Sequence, residues 1–514
     1  MVISMTINER ITLPVWKKLI LFIVSFVLFC IQIFLIFTLF DVILIFSNSE
    51  LKLVYIFTEV LGIVMTLYVL STSVSTNFKL TWSILFLLAP LPFVVLFFIN
   101  EVTKYYAKKK IKKINSLNLK IQPNKEPTPN DRNLLSLYKV CNQDKNATIS
   151  NGTKYKFYSN CLEKHNDMII ELQQAKHYIF MEYFIIEDGQ LMEEVFHVLE
   201  QKGKEGVQIK ILYDDIGSKK AMTRKLLKKL ATIPNCRVNN YEPTFLNLSI
   251  LVNYRDHRKI TIIDGNVCYC GGDNLADEYI HKKERFGYWR DNCGKFEGSA
   301  VVGFLNMFCQ MWYMSTKEKI TDIYLPKYKE HNENQIIVFG DGPTNDKNIA
   351  YDVFMSLISN AKESICISTP YFIIDDAMIN SIVLKIKEGI DVKILLPKIP
   401  DKKSVFYMSR NNYKKILESG GKIYEYTPGF NHAKNIIVDK KQAFIGTINM
   451  DYRSMFLHYE CGAIIVNDLE IEKMYDDFVE DINKSELIGY DKWCSRPLYQ
   501  KIIAFVLNLF STLF

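Results

Sequence analysis

The chain of 514 residues has no Cys-x-x-Cys pair, no Gly-rich nucleotide loop and no Gly-x-Ser-x-Gly turn. The first absence argues against a zinc ribbon or a dithiol redox site, the second against a nucleotide cradle, the third against a serine nucleophile elbow. Its 11 cysteines are odd in number and scattered. Cys268 and Cys270 alternate along an apparent strand, a core pattern, and no set of four metal ligands is in sight. Neither a metal nor any other cofactor is therefore expected. Reduced thiols suit a cytoplasmic body. Histidine is scarce, with 8 residues. The net charge of +7 suits an acidic substrate or surface without identifying it.

Two of those few histidines open the same pattern. His257-x-Lys259 is followed by Asp264, and His432-x-Lys434 by Asp439 at the same interval. At this composition a loose match is expected roughly 0.1 times by chance. Gly271 and Asn274 follow Lys259 by 12 and 15 residues, as Gly446 and Asn449 follow Lys434. The segments after each lysine are β-branched and apolar, so they read as buried strands. Residues two apart on a strand share a face, which aims each His and its Lys the same way. An imidazole is a nucleophile and proton carrier near neutral pH. An ammonium and a carboxamide beside it can hold phosphoryl oxygens as charge develops. Chemistry on a phosphodiester is the expectation, at one site assembled from two related halves.

The duplication extends outward. Glu182-Tyr-Phe-Ile-Ile-Glu187-Asp188 resembles Pro370-Tyr-Phe-Ile-Ile-Asp375-Asp376. Each is followed by a helical stretch, a second strand (206–213 and 389–396), a Lys-rich helix (219–230 and 402–417) and a third short strand (237–241 and 422–426). Alternating strands and helices predict an α/β fold, two duplicated lobes with largely parallel sheets. The expected boundaries are 136–330 and 331–486, with the motif strands meeting between the lobes.

The apolar excess lies near the N-terminus, so 1–101 is expected to be a membrane region and 102–135 a basic linker. Residues 19–40 run 22 positions without a charge, long enough to span a bilayer. Residues 54–71 are a second candidate, weakened by Glu59, and 80–99 a third, interrupted by Pro90 and Pro92. Lys104, Lys108, Lys109, Lys110, Lys112 and Lys113 follow, a cluster that favours the cytoplasmic side. Read blandly, it is a solvated charged helix. Three spans would put the N-terminus outside, against Arg10, Lys17 and Lys18; the larger downstream cluster decides, and a two-span hairpin stays open. The stretch 487–514 ends in an apolar segment too short for a confident span, which either lies in the interface or packs on the body.

These residues resemble the phospholipase D superfamily, and within it the bacterial cardiolipin synthases. The second half carries Thr369-Pro-Tyr-Phe, Pro428-Gly-Phe-Asn-His432, Gly446-Thr-Ile-Asn449-Met-Asp451 and Glu460. The first half carries Tyr213-Asp-Asp-Ile-Gly, Gly271-Gly-Asp-Asn274, Trp289-x-Asp291 and Glu297-Gly298. Three positions depart from the usual pattern: Ile374 for Pro, Thr447 for Ser and His458 for Asn.

The resemblance implies a phosphatidyltransferase in the bacterial cell membrane, its body on the cytoplasmic face. It would transfer a phosphatidyl group between two phosphatidylglycerols, giving cardiolipin and glycerol. His257 would be the nucleophile and His432 the acid and base. Lys259, Lys434, Asn274 and Asn449 would hold phosphoryl oxygens. By position, Glu460 would orient His257 and Asp291 would orient His432. Asp264 and Asp439 would order the motif loops or act directly. The partners implied are phosphatidylglycerol and cardiolipin, not nucleic acid. Competing readings are another phosphatidyltransferase, such as a phosphatidylserine synthase; a hydrolase of phospholipid or nucleic acid; and an inactive membrane scaffold.

Overall fold

Only Asp264, Gly265 and Asn266 separate the strands Lys259–Ile263 and Val267–Gly271. So short a link can only reverse the chain, and Asp264 and Gly265 turn it with φ of 49° and 64°. In the computed structural model the two strands are antiparallel, with Ile260 opposite Cys270. Asp439 and Lys440, φ 53° and 54°, make the same reversal between Asn435–Val438 and Gln442–Gly446. The structure describes Gln32 and residues 49–72, 74, 76–116, 121, 129, 132–144, 146–241, 253–321, 323–328, 334–343, 345 and 347–513.

These hairpins correct the expectation of largely parallel sheets. The seven-stranded sheet of the first lobe has parallel pairing only among Tyr178–Tyr183, Gln208–Asp214 and Cys236–Tyr241. The nine-stranded sheet of the second has it only among Ser364–Ser368, Asp391–Pro397 and Lys422–Tyr426. Those strands are joined by crossover helices, Gln190–Lys204 and Asp376–Lys387 among them. Every other pairing within the two sheets is antiparallel.

Each sheet has its own core. Ile179, Ile209, Leu199 and Val195 pack in the first lobe; Ile365, Ile394, Phe354 and Phe444 pack in the second. Burying each such side chain contributes about 1.5–3 kcal/mol. The expected boundary between the lobes is not where the chain changes sheets. Strand Thr148–Asn151 pairs with Gln335–Asp341, and Leu134 and Leu137 join the second core. Ile149 explains the placement: it pairs opposite Ile337 and is buried in that core.

The chain divides into two contact units. One holds the described residues up to 113 together with 509–513; the other holds both lobes. In the first unit, Trp82 packs edge-on to Phe97 at 5.0 Å, with Val69 and Phe86 buried beside them. Gly62 lets helices meet, since a Cβ there would lie 2.6 Å from the Phe86 carbonyl oxygen. Among the described residues, Leu53–Ser71 is the one helix long and apolar enough to cross a membrane. Its Leu53, Phe57, Val64 and Leu67 are exposed. The third candidate, 80–99, is not one span: helix Thr76–Leu88 ends and a new helix, Pro90–Ser116, begins at a proline, the residue suited to a first turn. That second helix also carries the lysine cluster, placed in sequence as a linker. The first candidate, 19–40, lies outside the described residues except for Gln32. In the other unit the terminal helix Leu498–Asn508 puts Leu507 against Ile373, Val405 and Met408, and leaves Leu498, Ile502 and Phe505 exposed.

Candidate active site

The two motifs are held across the lobe boundary by backbone pairing. The His257 N–H donates to the Tyr459 carbonyl at 2.9 Å, and the His432 N–H to the Arg290 carbonyl at 2.6 Å. Tyr459 and Arg290 each precede an acidic residue, Glu460 and Asp291. Their carboxylates cross over. Glu460 Oε1 lies 2.8 Å from His257 Nδ1, and Asp291 Oδ2 lies 2.5 Å from His432 Nδ1. Each imidazole is thus oriented by the opposite lobe, and with Nδ1 engaged it is Nε2 that is left for chemistry.

The lysines sit just behind. Lys259 Nζ donates to the His257 carbonyl at 2.5 Å, and Lys434 Nζ donates to the His432 carbonyl. Both are buried. Burial lowers both ammonium groups, Lys434 to about 8, against the raising pull of nearby carboxylates. Burial also pushes both histidines down, helped by the lysines, His432 to about 4. The two acids differ. Burial raises Glu460 well above the carboxylate range despite Lys259. Burial works the same way on Asp291, but Lys434 and His432 outweigh it and hold that carboxyl below its usual value.

The asparagines are not equivalent. Asn274 Oδ1 accepts from the Ile185 N–H at 3.0 Å, and its Nδ2 donates to the Tyr279 hydroxyl at 2.7 Å. One amide hydrogen is left for the site. Asn449 is buried, and its Oδ1 has no hydrogen-bond partner among the described residues. Asp264 and Asp439 lie at the far ends of their strands. Asp264 accepts from the backbone N–H groups of Lys176, His177 and Tyr178, at 2.7, 2.8 and 2.7 Å. Asp439 accepts from those of Lys362, Glu363 and Ser364. Both carboxylates tie down the start of the neighbouring strand.

Several neighbours did not follow from the motifs alone. Phe184 packs edge-on to His257, with ring centroids 4.9 Å apart, and His458 lies at 6.1 Å. Tyr279, Trp289 and Phe430 surround His432 at 5.9, 5.6 and 5.7 Å. The Thr447 hydroxyl donates to Glu460 Oε2. Pairing also corrects the register of the duplication. Glu182 lies opposite Ile260 and Ser368 opposite Asn435, the residues that follow Lys259 and Lys434. Ser368, not Pro370, is therefore the counterpart of Glu182. A slip of two residues keeps every side chain on its face, so the apolar pattern is blind to it.

A family model described as "Cardiolipin synthase, PLD-like domain" matches residues 168–285 and 354–482, one stretch in each lobe. Cardiolipin synthase 2 of Bacillus anthracis is 37% identical over 384 residues, 73% of this chain and 74% of that protein. The chain belongs to the cardiolipin synthase family. The cardiolipin synthase of Geobacillus kaustophilus is 35% identical over 395 residues, covering 75% of this chain and 76% of its own length. A crystal structure of a phosphatidylserine synthase from Haemophilus influenzae aligns over 74% of this chain and all of its own, with a TM-score of 0.53 and 14% identity. At that identity it supports the two-lobed phospholipase D fold alone. Membership in the cardiolipin synthase family makes the chain an enzyme and sets aside the inactive scaffold.

Proposed function

We propose that this site moves a phosphatidyl group from one phosphatidylglycerol to a hydroxyl of a second, giving cardiolipin and glycerol. The observation that carries the reading is the crossed pairing of His257 with Glu460 and of His432 with Asp291. His257 Nε2 attacks phosphorus, and the P–O bond to the glycerol headgroup breaks. His432 gives its proton to the departing oxygen. The acceptor hydroxyl then loses its proton to His432 and attacks phosphorus, and the bond to His257 breaks. Atoms and protons balance over the cycle, and no net charge is gained.

The assignment of roles rests on the two carboxyls. Asp291 stays anionic and so supports the imidazolium that forms at His432 when an anionic phosphodiester binds beside it, the state an acid needs. His257 is kept neutral, the state a nucleophile needs. Lys259, Lys434, Asn449 and the remaining Asn274 N–H are the donors for the phosphoryl oxygens. Asp264 and Asp439 act by anchoring the motif strands. The aromatic wall of Tyr279, Trp289 and Phe430 beside His432 favours transfer to an alcohol over hydrolysis, because it displaces water from the acceptor's position.

Leu53–Ser71 is read as a membrane span, and the lysines at 104–113 as marking the cytoplasmic side. The exposed apolar face of Leu498–Asn508 would lie in the interface near lipid phosphates. An impermeant thiol reagent should leave an engineered cysteine near Glu330 unlabelled in intact cells; labelling from outside would reverse the orientation.

The deciding experiment supplies the purified protein in mixed micelles with phosphatidylglycerol alone. Cardiolipin and glycerol in equal amounts support the reading. Phosphatidic acid as main product would replace it with hydrolysis, and a requirement for a cytidine-diphosphate lipid would replace it with another transfer. Mass spectrometry of rapidly quenched enzyme should find the phosphatidyl adduct on His257.

A further inference from the structure

Behind His257 lies an acidic cluster that the reaction does not use. Glu182 and Asp256 are both 0% exposed. Their carboxyls face each other. Both oxygens of Glu182 and Oδ2 of Asp256 have no hydrogen-bond donor among the described residues. Two carboxylates cannot bond to one another, whereas a carboxylic acid and a carboxylate can.

The surrounding charges point the same way. Asp214 Oδ2 accepts from Arg255 Nε at 2.9 Å, and Arg258 lies 3.7 Å from Glu182. Three carboxyls therefore face two guanidinium groups, and one proton balances them. Lys259 faces chiefly Glu460 and Asp291. The other titratable neighbours are the thiols of Cys268, Cys309 and Cys461.

The second lobe supplies an internal control. There the counterparts are Ser368 and Asn431, and Asn431 Nδ2 donates to Ser368 Oγ at 3.0 Å. Asn431 Oδ1 accepts the Ala433 N–H at 3.3 Å, as Asp256 Oδ1 accepts the Arg258 N–H at 3.3 Å. The bond that a neutral amide makes in one lobe needs a carboxyl proton in the other. Arg258 then reaches across: its Nε donates to the Glu460 carbonyl at 3.2 Å.

We propose that Glu182 and Asp256 are positioning residues that share one proton and, through Arg258, hold Glu460 against His257. The positioning role rests on the reading of His257 and Glu460 as a reacting pair; the shared proton does not. Losing that proton would leave two adjacent anions in a dry interior, and their repulsion would shift Arg258 and the residues it holds. Burial raises Glu182 to about 7. Burial holds Asp256 higher still, so as pH rises through that region the pair passes from two protons to the one it shares, and the transfer rate should rise.

The test uses the full chain with Glu182→Gln, Asp256→Asn and the double variant. Glutamine gives Asp256 a permanent N–H donor, the solution the second lobe uses. Glu182→Gln should cost less than about tenfold in kcat at pH 6. The rise in kcat near pH 7 should disappear, leaving only the later fall from Lys434, which sits at about 8. The double variant strands Arg258 without a counter-charge and should lose more than about a hundredfold, far beyond the sum of the singles. Difference infrared spectra should show a protonated-carboxyl stretch in the wild type that Glu182→Gln removes. That band is read without substrate, so it stands or falls apart from the transfer reaction. Absence of the band would overturn the shared proton. A pH profile of Glu182→Gln identical to wild type would overturn the positioning role.

Discussion

Glu460 of the second lobe holds Nδ1 of His257 in the first at 2.8 Å, so neither lobe completes its own histidine–carboxylate pair. Asp291 does the reverse for His432. Replacing Glu460 by Gln keeps the shape and a carbonyl acceptor for Nδ1–H, but the side chain can no longer become the anion that steadies His257 as the ring takes on positive charge. The expected loss in kcat is about 10²–10⁴. Thermal unfolding of the variant should stay cooperative. A kcat within about threefold of wild type would mean that a neutral acceptor oxygen at Nδ1 is enough.

Asp264 and Asp439 should behave differently. Each accepts backbone N–H groups at the start of a neighbouring strand and touches no reacting group. Asp439→Ala should lower folding stability by about 1–3 kcal/mol, through lost hydrogen bonds to a charged acceptor. The activity of the molecules that remain folded should change by less than about tenfold. Denaturation midpoints with kcat per folded enzyme separate the two effects. A variant as stable as wild type but inactive would return this aspartate to the chemistry.

Much of this site can be read from sequence, for a definite reason. The motif residues lie at fixed intervals on two hairpins, and interval is what a sequence preserves. Glu460 and Asp291 share no such interval, since one follows Asn449 by 11 residues and the other follows Asn274 by 17, and it is the family pattern that reaches them instead. Other features leave no such trace. The sheet edge that takes Thr148–Asn151 is chosen by tertiary packing, and a four-residue strand signals nothing about its partner. The equivalence of Glu182 and Ser368 is masked by a nearby likeness two residues out of step. The spent amide of Asn274 depends on Tyr279, a contact that no spacing rule anticipates. One helix long and apolar enough to cross a membrane is legible by length at 54–71, but the break before Pro90 turns another apolar run into two helices.

Substrate binding should draw in a proton. In the empty site burial and Lys434 hold His432 at about 4, so it is neutral at pH 6. A phosphodiester anion beside the ring favours the charged form and raises that value. A group whose pKa rises on binding takes up protons at pH between the old and new values. Calorimetry with a short-chain phosphatidylglycerol at pH 6, in buffers of differing ionisation enthalpy, should report uptake of a fraction of a proton. His432→Gln should abolish it. Proton release in the wild type would contradict the assignment of His432 as acid.

Thr447 offers a graded test of how firmly Glu460 must be held. Its hydroxyl donates to Glu460 Oε2, while Oε1 faces His257. It also bonds the backbone: the Cys461 N–H donates to its Oγ1 at 3.1 Å. Its place in the first lobe is taken by Gly272, where a Cβ would lie 2.1 Å from Asp291 Oδ1. The longer acid thus has a hydroxyl to steady it, and the shorter one has cleared space. Thr447→Ser keeps the hydroxyl and should leave kcat within about threefold of wild type. Thr447→Val keeps the shape, strands a buried carboxyl oxygen and should cost about 1–3 kcal/mol. Part of that cost should appear in kcat, as a drop of about tenfold or more, because the freed carboxyl can turn away from His257. Gly272→Ala should lower kcat from the other side by pushing Asp291 off His432. Equal kcat for Thr447→Val and Thr447→Ser, at equal stability, would show that His257 alone is enough to fix Glu460.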